Sequence, residues 1–341
     1  MNEVATVALS LRSGLKLSPL GFGTAPLGNL YAPLSEDSAA ATVRAALDAG
    51  ITYVDTAPFY GLGLAEDRLG RILPDDVTVS TKVGRLLEDC SPEEATPEMF
   101  VDVPSRKVVF DYSYDGVMRS FESSVSRLGR TPEILLIHDI DPGTHGQEVS
   151  DAHMNSLLRG GGYRALEELR TSGSIRAIGA GVNAWEICER LLGEGDFDCF
   201  LLAGRYTLLE QEAQATFLPL CAARDVGIII GGPYNSGILA TGPVSGARYD
   251  YEPAPPEILA RVADIERVCK AHDVTLIAAA LHFVLAHPVV RAVIPGAAAP
   301  EEVAANARLY ATKVPPALWH DLRAEGLIRA DVPLPGDDHA A

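Results

Sequence analysis

The sequence predicts an α/β chain in which eight strand–helix units close into a (β/α)8 barrel. Three observations predict it. Short, near-continuous apolar runs recur along the chain, the pattern of parallel strands buried on both faces. Longer amphipathic segments alternate with them. Glycines stand where a helix gives way to the next strand, as Gly50, Gly129, Gly173 and Gly227 do.

Taken in order, Leu20-Gly-Phe-Gly-Thr24 opens the series. A helix over 35–49 follows, begun by Ser35 or Ser38, either of which can cap it, and closed at Gly50. Ile51–Asp55 is the second strand, short and β-rich, with a helix over 65–72 behind it. Val77–Thr81 is the third. The helix 114–128 precedes the fourth, Ile134–His138, and 163–172 precedes the fifth, Ile175–Ile178. The helix 184–193 leads to Cys199–Leu202, and 211–224 leads to Gly227–Ile230. The pair 256–272 and 275–286 leads to Ala292–Ile294, and 300–310 completes the last unit. A ninth helix around Leu318–Gly326 and a Pro-rich tail make up 315–341. No Pro/Ser/Gly-rich linker interrupts the series, so residues 1–341 read as a single barrel domain. Two connections, 83–112 and 139–162, are longer than a barrel needs. Both follow strands and so belong to the C-terminal face, where barrel enzymes keep their chemistry.

Composition narrows the function. A chain of 341 residues that is 47% hydrophobic can fill a large core and is not disordered. Against 28 Lys and Arg stand 46 Asp and Glu, a formal charge of −18. A surface this acidic argues against nucleic acid and against anionic membranes, both of which need clustered cations. No run approaches the roughly 18 apolar residues of a membrane span. The N-terminus lacks a basic stretch followed by an apolar one, so no secretory signal is expected. The five cysteines are scattered, without a Cys-x-x-Cys pair, as expected of reduced thiols in a cytoplasmic protein.

The chemistry stands at the strand ends. Strand two ends in Asp55, followed by Thr56-Ala-Pro-Phe-Tyr60-Gly61; strand three ends in Lys82 and strand four in His138. In a closed barrel these positions converge on one mouth. A lysine ammonium beside a phenol stabilises phenolate and lowers its pKa from about 10. Asp55 would hold Lys82 charged, and His138 would hydrogen-bond a substrate oxygen. Tyr60 is then a general acid or base on an oxygen whose carbon gains or loses hydride. A metal-dependent hydrolase built on His138, Asp139 and Asp141 would need a second histidine at a matching strand end, and none stands there.

In these residues the chain resembles the aldo-keto reductase superfamily. The resemblance spans nearly the whole length: Leu20-Gly-Phe-Gly-Thr24, Gly50-Ile-Thr-Tyr-Val-Asp-Thr-Ala-Pro-Phe-Tyr-Gly61, Thr81-Lys82, Leu135-Leu-Ile-His-Asp139, Arg176-Ala-Ile-Gly179, Gly237-Ile-Leu239 and Ile294-Pro-Gly296. It implies a TIM barrel of the aldo-keto reductase type that binds an extended nicotinamide dinucleotide without a Rossmann domain. The implied catalytic tetrad is Asp55, Tyr60, Lys82 and His138. The implied cofactor contacts include Gly23, Thr24, Pro295 and Gly296, with Asn183 against the nicotinamide carboxamide and Asn306 on the adenine side. The chain departs from the family in having Val182 where a serine is usual and Ala203 where a glutamine is common. A small-molecule substrate and a monomer or small homo-oligomer complete the expectation.

Gly179-Ala-Gly-Val-Asn-Ala184 also fits G-x-G-x-x-A, with Asp198 some 20 residues on. Read as a Rossmann site, it would leave the barrel strands before it unexplained. The better guide to the cofactor is 294–306, which carries no cation. Glu302 stands where the family often has arginine. A carboxylate there repels a 2′-phosphate and can accept from a ribose 2′-OH, so NAD is expected and NADP is the lesser choice. Gly232, Pro233, Tyr234, Ser236 and Gly237 are expected to form a loop over the pyrophosphate, with backbone N–H groups and Ser236 as donors.

An NAD preference points to oxidation. Within the superfamily the chain looks most like the aldose 1-dehydrogenase branch, which includes L-fucose and D-threo-aldose 1-dehydrogenases. The likeness rests on Leu202–Gln211, Gly232–Leu239 and Trp319–Leu327. There, Tyr60 as phenolate would take the proton of the anomeric hydroxyl while hydride leaves C1, and the product is the lactone. Some members of the branch are pyridoxal 4-dehydrogenases, which take pyridoxal hemiacetal to 4-pyridoxolactone by nearly the same chemistry. A sugar pocket wants several polar partners; a pyridine ring wants an apolar slot with one partner for its phenolic oxygen. Phe59, Phe110, Tyr112, Trp185, Tyr206 and Tyr234 are candidate walls.

Overall fold

The computed structural model describes residues 6–250 and 252–335. Eight strands form one parallel sheet in chain order: β1 (Phe22–Gly23), β2 (Tyr53–Asp55), β3 (Thr78–Val83), β4 (Ile134–His138), β5 (Ala177–Val182), β6 (Cys199–Ala203), β7 (Gly227–Gly231) and β8 (Val290–Ile294). The two edge strands meet and close the barrel through the parallel bridges Leu20↔Val293 and Gly23↔Gly296. At this seam the Gly21 N–H donates to the Val293 carbonyl at 2.9 Å, and the Val293 N–H to Pro19 at 2.8 Å. A Cβ on Gly23 would stand 2.8 Å from the Ile294 carbonyl oxygen, so the approach of β1 to β8 requires glycine there.

The shell is built from α1 (Glu36–Asp48), α2 (Leu64–Gly70), α3 (Tyr114–Leu128), α4 (Gly162–Thr171), α5 (Trp185–Glu194), α6 (Phe217–Ala223), α7 (Pro256–Ala271), α8 (Leu276–Leu285), α9 (Pro300–Tyr310) and α10 (Pro316–Ala324). Ser35, rather than Ser38, caps α1: its hydroxyl accepts from the Ser38 N–H. No single helix among the described residues is long and apolar enough to cross a membrane.

Alternation along each strand separates two apolar layers. Tyr53, Leu136, Leu201 and Ile229 point into the barrel, while Val54, Leu135, Phe200 and Ile230 pack under the helices. The bottom is plugged by a hairpin absent from the sequence reading, Val7–Ala8 paired with Lys16–Leu17. Its Leu9, Leu15 and Leu17 join the interior cluster. Gly227 opens β7, as in the expected strand Gly227–Ile230. Its missing side chain makes room for this hairpin, since a Cβ would lie 2.4 Å from the Leu9 carbonyl oxygen.

The two long connections carry structure of their own. Residues 83–112 contain an antiparallel hairpin, Arg85–Asp89 with Arg106–Phe110. It leaves the barrel at Gly84, where φ is +102° and a Cβ would collide with the Tyr112 ring at 2.1 Å. Residues 139–162 hold two helices, Pro142–His145 and Gln147–Leu158. The segment expected as a helix over 211–224 is a 3₁₀ turn, Glu212–Gln214, followed by α6. The fifth strand lies further along than expected, running through Gly179 and Gly181 to Val182.

Candidate active site

The deepest polar group at the mouth is an ion pair. Lys82 on β3 and Asp55 at the end of β2 are 2% and 1% exposed, with Lys82 Nζ 2.8 Å from Asp55 Oδ2. Nζ also donates to the Thr56 carbonyl at 2.9 Å and to the Tyr60 hydroxyl at 3.4 Å, so all three ammonium protons have acceptors. The other Asp55 oxygen accepts from Ser80 Oγ at 2.7 Å, and Ser80 in turn meets the Tyr53 hydroxyl at 2.9 Å. A continuous buried chain thus runs Tyr53–Ser80–Asp55–Lys82–Tyr60.

Local structure aims Tyr60. It lies in the turn between β2 and α2. There Gly61, at φ +65°, packs so closely on Gly28 that a Cβ would sit 2.4 Å from the Gly28 carbonyl oxygen. The start of α2 is tied to β3 by wholly buried Glu66, which accepts from Thr81 Oγ1 and from Arg127 Nε, both at 2.6 Å.

Burial raises the Tyr60 phenol to about 12; Lys82 pulls it down and is outweighed. The expectation of a net fall below 10 is therefore corrected: the ammonium acts in the expected direction, but desolvation of the phenolate is larger. Lys82 itself is pushed up to about 12: burial works against its charge, and Asp55 and Tyr60 overcome it.

His138 ends β4, buried, its ring 6.3 Å from that of Tyr60. Burial, with Arg85 and Lys82 adding to it, holds its pKa well below 6.5, so the ring is neutral. Its Nε2 lies 3.3 Å from Asp139 Oδ2, and Nδ1 is buried with no partner among the described residues. The same Asp139 oxygen accepts from Arg85 Nη2 at 2.6 Å. Burial lifts the Asp139 carboxyl to about 6, with Arg85 opposing. Arg85 was absent from the sequence reading. It follows Gly84 in a segment that reads as a solvated loop, and only the hairpin turns it inward.

These groups border a cavity of about 290 Å3. Tyr60, Lys82, His138, Asp139, Arg85 and Asn183 are among its polar lining residues, and the lining as a whole is more apolar than polar. Of the aromatic walls expected, Phe59 lines it and Phe110 stands behind Arg85. Tyr112 is buried under Gly84, and Tyr206 stacks on Phe283 in the helical shell. Phe100 and Met99, from the far end of the hairpin segment, also line it, the Phe100 ring packed edge-on against Phe59 at 5.3 Å.

Asn183 follows β5 directly. Its Oδ1 is buried and accepts no hydrogen bond from the described residues, while its backbone carbonyl takes Arg205 Nε at 2.5 Å. Val182 and Ala203 also line the cavity. The G-x-G-x-x-A run is not a strand-to-helix phosphate turn. Both of its glycines lie within β5, and a Cβ on Gly181 would press on Lys82 Cε at 3.1 Å, so this glycine clears space for the lysine stem.

Around the ends of β7 and β8, the Tyr234 hydroxyl reaches Asn306 Oδ1 at 3.3 Å, joining two of the expected cofactor residues. Gly232, Asn235, Ser236 and Gly237 all have left-handed φ, which curls the Gly232–Gly237 loop tightly. The Asn235 and Gly237 N–H groups close turns within it, onto the Gly232 and Tyr234 carbonyls, rather than standing ready as donors. Pro233 lies in the same turn. Gly23 and Gly296 pair at the barrel seam, where the Gly23 N–H donates to Pro295; the Thr24 hydroxyl donates to the Asp55 carbonyl at 2.9 Å. Glu302 has a local role unseen in the sequence: in the first turn of α9 it accepts from the Ala298 N–H at 2.7 Å, in the manner of a capping box.

Comparison with known proteins agrees with this geometry. Residues 19–324 match the Aldo/keto reductase family. The chain is 44% identical over 331 residues to a pyridoxal 4-dehydrogenase of Microbacterium luteolum, covering 93% of this chain and 96% of that protein. It is 38% identical over 335 residues to a D-threo-aldose 1-dehydrogenase of Pseudomonas sp, covering 95% and 98%. Among solved structures, the holo form of an aldo-keto reductase from Bacillus halodurans superposes with a TM-score of 0.74 at 23% identity, over 96% of this chain and 97% of that one. The barrel, its buried strand-end chain and this match over nearly the full length have one reading: the chain belongs to the aldo/keto reductase family of oxidoreductases.

Proposed function

We propose that this chain oxidises the hydroxyl carbon of a cyclic hemiacetal to the lactone, with NAD as cofactor. The observation that carries the reading is the Tyr60 hydroxyl, which opens on the cavity while bonded to a lysine whose charge is secured by Asp55. The Tyr60 oxygen takes the hydroxyl proton, and Lys82 stabilises the phenolate that must form first. Neutral His138 orients the reacting oxygen. A nicotinamide cofactor, when bound, would supply the hydride acceptor for that carbon, and the carbon–oxygen double bond of the lactone would form as proton and hydride leave.

Members of the family use nicotinamide cofactors, and the residues present fit one. The unpartnered Asn183 Oδ1 is an acceptor suited to a carboxamide N–H, and the joined Tyr234 and Asn306 offer a polar seat for an adenine. The choice of NAD rests on Glu302 and on the lack of any cation in 294–306.

Both relatives' names denote substrates that exist as cyclic hemiacetals. The cavity favours pyridoxal: its walls are mostly apolar and aromatic, and its one cation besides Lys82, Arg85, suits a phenolic oxygen. An aldose is the second reading, favoured by Glu98 and Thr144 on the lining, which can take sugar hydroxyls. NAD reduction measured with pyridoxal, L-fucose, D-arabinose and L-galactose tests the proposal. Turnover of pyridoxal or an aldose to its lactone is expected. Silence with all four, alongside NADPH-driven aldehyde reduction, would sink the oxidative reading.

Tyr60→Phe is expected to lower turnover by roughly a hundred- to ten-thousand-fold while leaving NAD affinity, read by fluorescence titration, nearly unchanged. With the phenol at about 12, oxidative kcat/KM rises with pH, about tenfold per unit across the alkaline range. A flat profile between about pH 7 and 10 would remove Tyr60 as the base. Glu302→Arg is expected to raise the NADP-to-NAD ratio of kcat/KM by about tenfold or more. Glu302→Gln, which keeps an acceptor for the Ala298 N–H, separates that effect from loss of the cap.

A further inference from the structure

We propose that Arg85 reads an ionised oxygen on the substrate next to the reacting carbon, and so sets the preference for pyridoxal over neutral cyclic hemiacetals. The inference rests on the hemiacetal reading above and deepens it.

Four observations carry it. Arg85 is 6% exposed yet lies on the cavity lining. Its guanidinium carbon sits 4.2 Å from the Phe59 ring centroid and 5.2 Å from that of Phe110, so the plane of the fork is held before any substrate arrives. Nη2 is committed to Asp139 and Nε is enclosed by protein, whereas no bond from Nη1 is found among the described residues, which leaves that arm of the fork for a ligand oxygen. Finally, the Asp139 oxygen that Arg85 touches also contacts His138 Nε2. The cation therefore stands beside the group that orients the reacting hydroxyl.

The substrate chemistry matches this placement. In pyridoxal hemiacetal the reacting carbon is attached to a ring carbon whose neighbour bears the phenolic oxygen, ionised at neutral pH. An aldose presents a neutral hydroxyl at the comparable distance from its anomeric carbon. A charge-assisted bond from a stacked guanidinium is about twice as strong as a neutral one. Arg85 also screens the substrate anion from Asp139. Without the arginine, that carboxylate would face the phenolate unopposed.

The test compares pyridoxal with its 3-O-methyl ether, which still closes to the hemiacetal but has no ionisable oxygen. Both are assayed by NAD reduction with the wild-type chain, Arg85→Met and Arg85→Lys. Wild type is expected to favour pyridoxal by about a hundredfold in kcat/KM. Arg85→Met is expected to lose that preference, kcat/KM falling much further for pyridoxal, mainly through a higher KM, than for the ether. Arg85→Lys, which keeps the charge without the stacked fork, should fall between, and it carries the test if Arg85→Met does not fold. Equal losses on both substrates, or equal wild-type rates on both, overturn the assignment of Arg85 while the hemiacetal oxidation stands. A wild-type chain that turns over aldoses and not pyridoxal overturns the pyridoxal reading, and the Arg85 assignment with it.

Discussion

A lysine and a carboxylate taken wholly out of water are the constraint around which the mouth of this barrel is arranged. Removing each charge from solvent costs several kcal/mol, and the pair holds only if every remaining hydrogen-bonding valence is met. Here they are met from the turn after β2 and from β3 itself. The Thr56 carbonyl and Tyr60 hydroxyl come from the turn after β2, and Ser80 comes from β3. Ser80 is itself backed by Tyr53 from inside the barrel, and β5 contributes a glycine so that the lysine stem can pass. Deleting either charged partner would leave the other stranded, at about 3–5 kcal/mol, so chemistry and stability are bound together at this point. The raised Tyr60 pKa follows from the same dryness: the environment that makes the ion pair strong also resists a phenolate.

Much of the fold and the centre of the site was legible in the sequence because both obey local rules. Seven of the eight strand positions follow from apolar runs, and the tetrad from residues at their ends. What was illegible depends on approach between distant segments. Gly227 reads as a helix stop, yet it is glycine because Leu9 lies against it. Gly181 reads as part of a nucleotide fingerprint, yet its lost side chain serves Lys82, about 100 residues earlier in the chain. The strand β5 was placed too early because two glycines dilute its apolar signal. Arg85 could not be found by pattern, since a cation after a glycine in a long connection ordinarily points to water.

Glu302 has a structural duty that its place in the sequence does not announce. Its carboxylate accepts from the Ala298 N–H ahead of α9, a reach-back that suits the length of a glutamate. The absence of a cation anywhere in 294–306 has no such structural cause, and it is this absence that bears on the cofactor. The acidity of the whole chain thus has a local counterpart beside the α9 terminus.

The hairpin segment between Gly84 and Tyr112 sets the division of labour within the barrel. Its root is pinned by the Tyr112 hydroxyl, which donates to the His138 carbonyl at 2.7 Å, and its far end folds back through the Tyr31 N–H to the Met99 carbonyl. That single excursion delivers Arg85, Glu98, Met99 and Phe100 to the cavity and contributes only buttressing to the proton-transfer chain. One continuous stretch of polypeptide thus supplies a large part of the cavity lining, with Phe59, Thr144 and Asn183 reaching it from other elements. Held between its two anchors, it gives no hydrogen bond to Lys82 or Asp55, whose partners are Thr56, Tyr60 and Ser80.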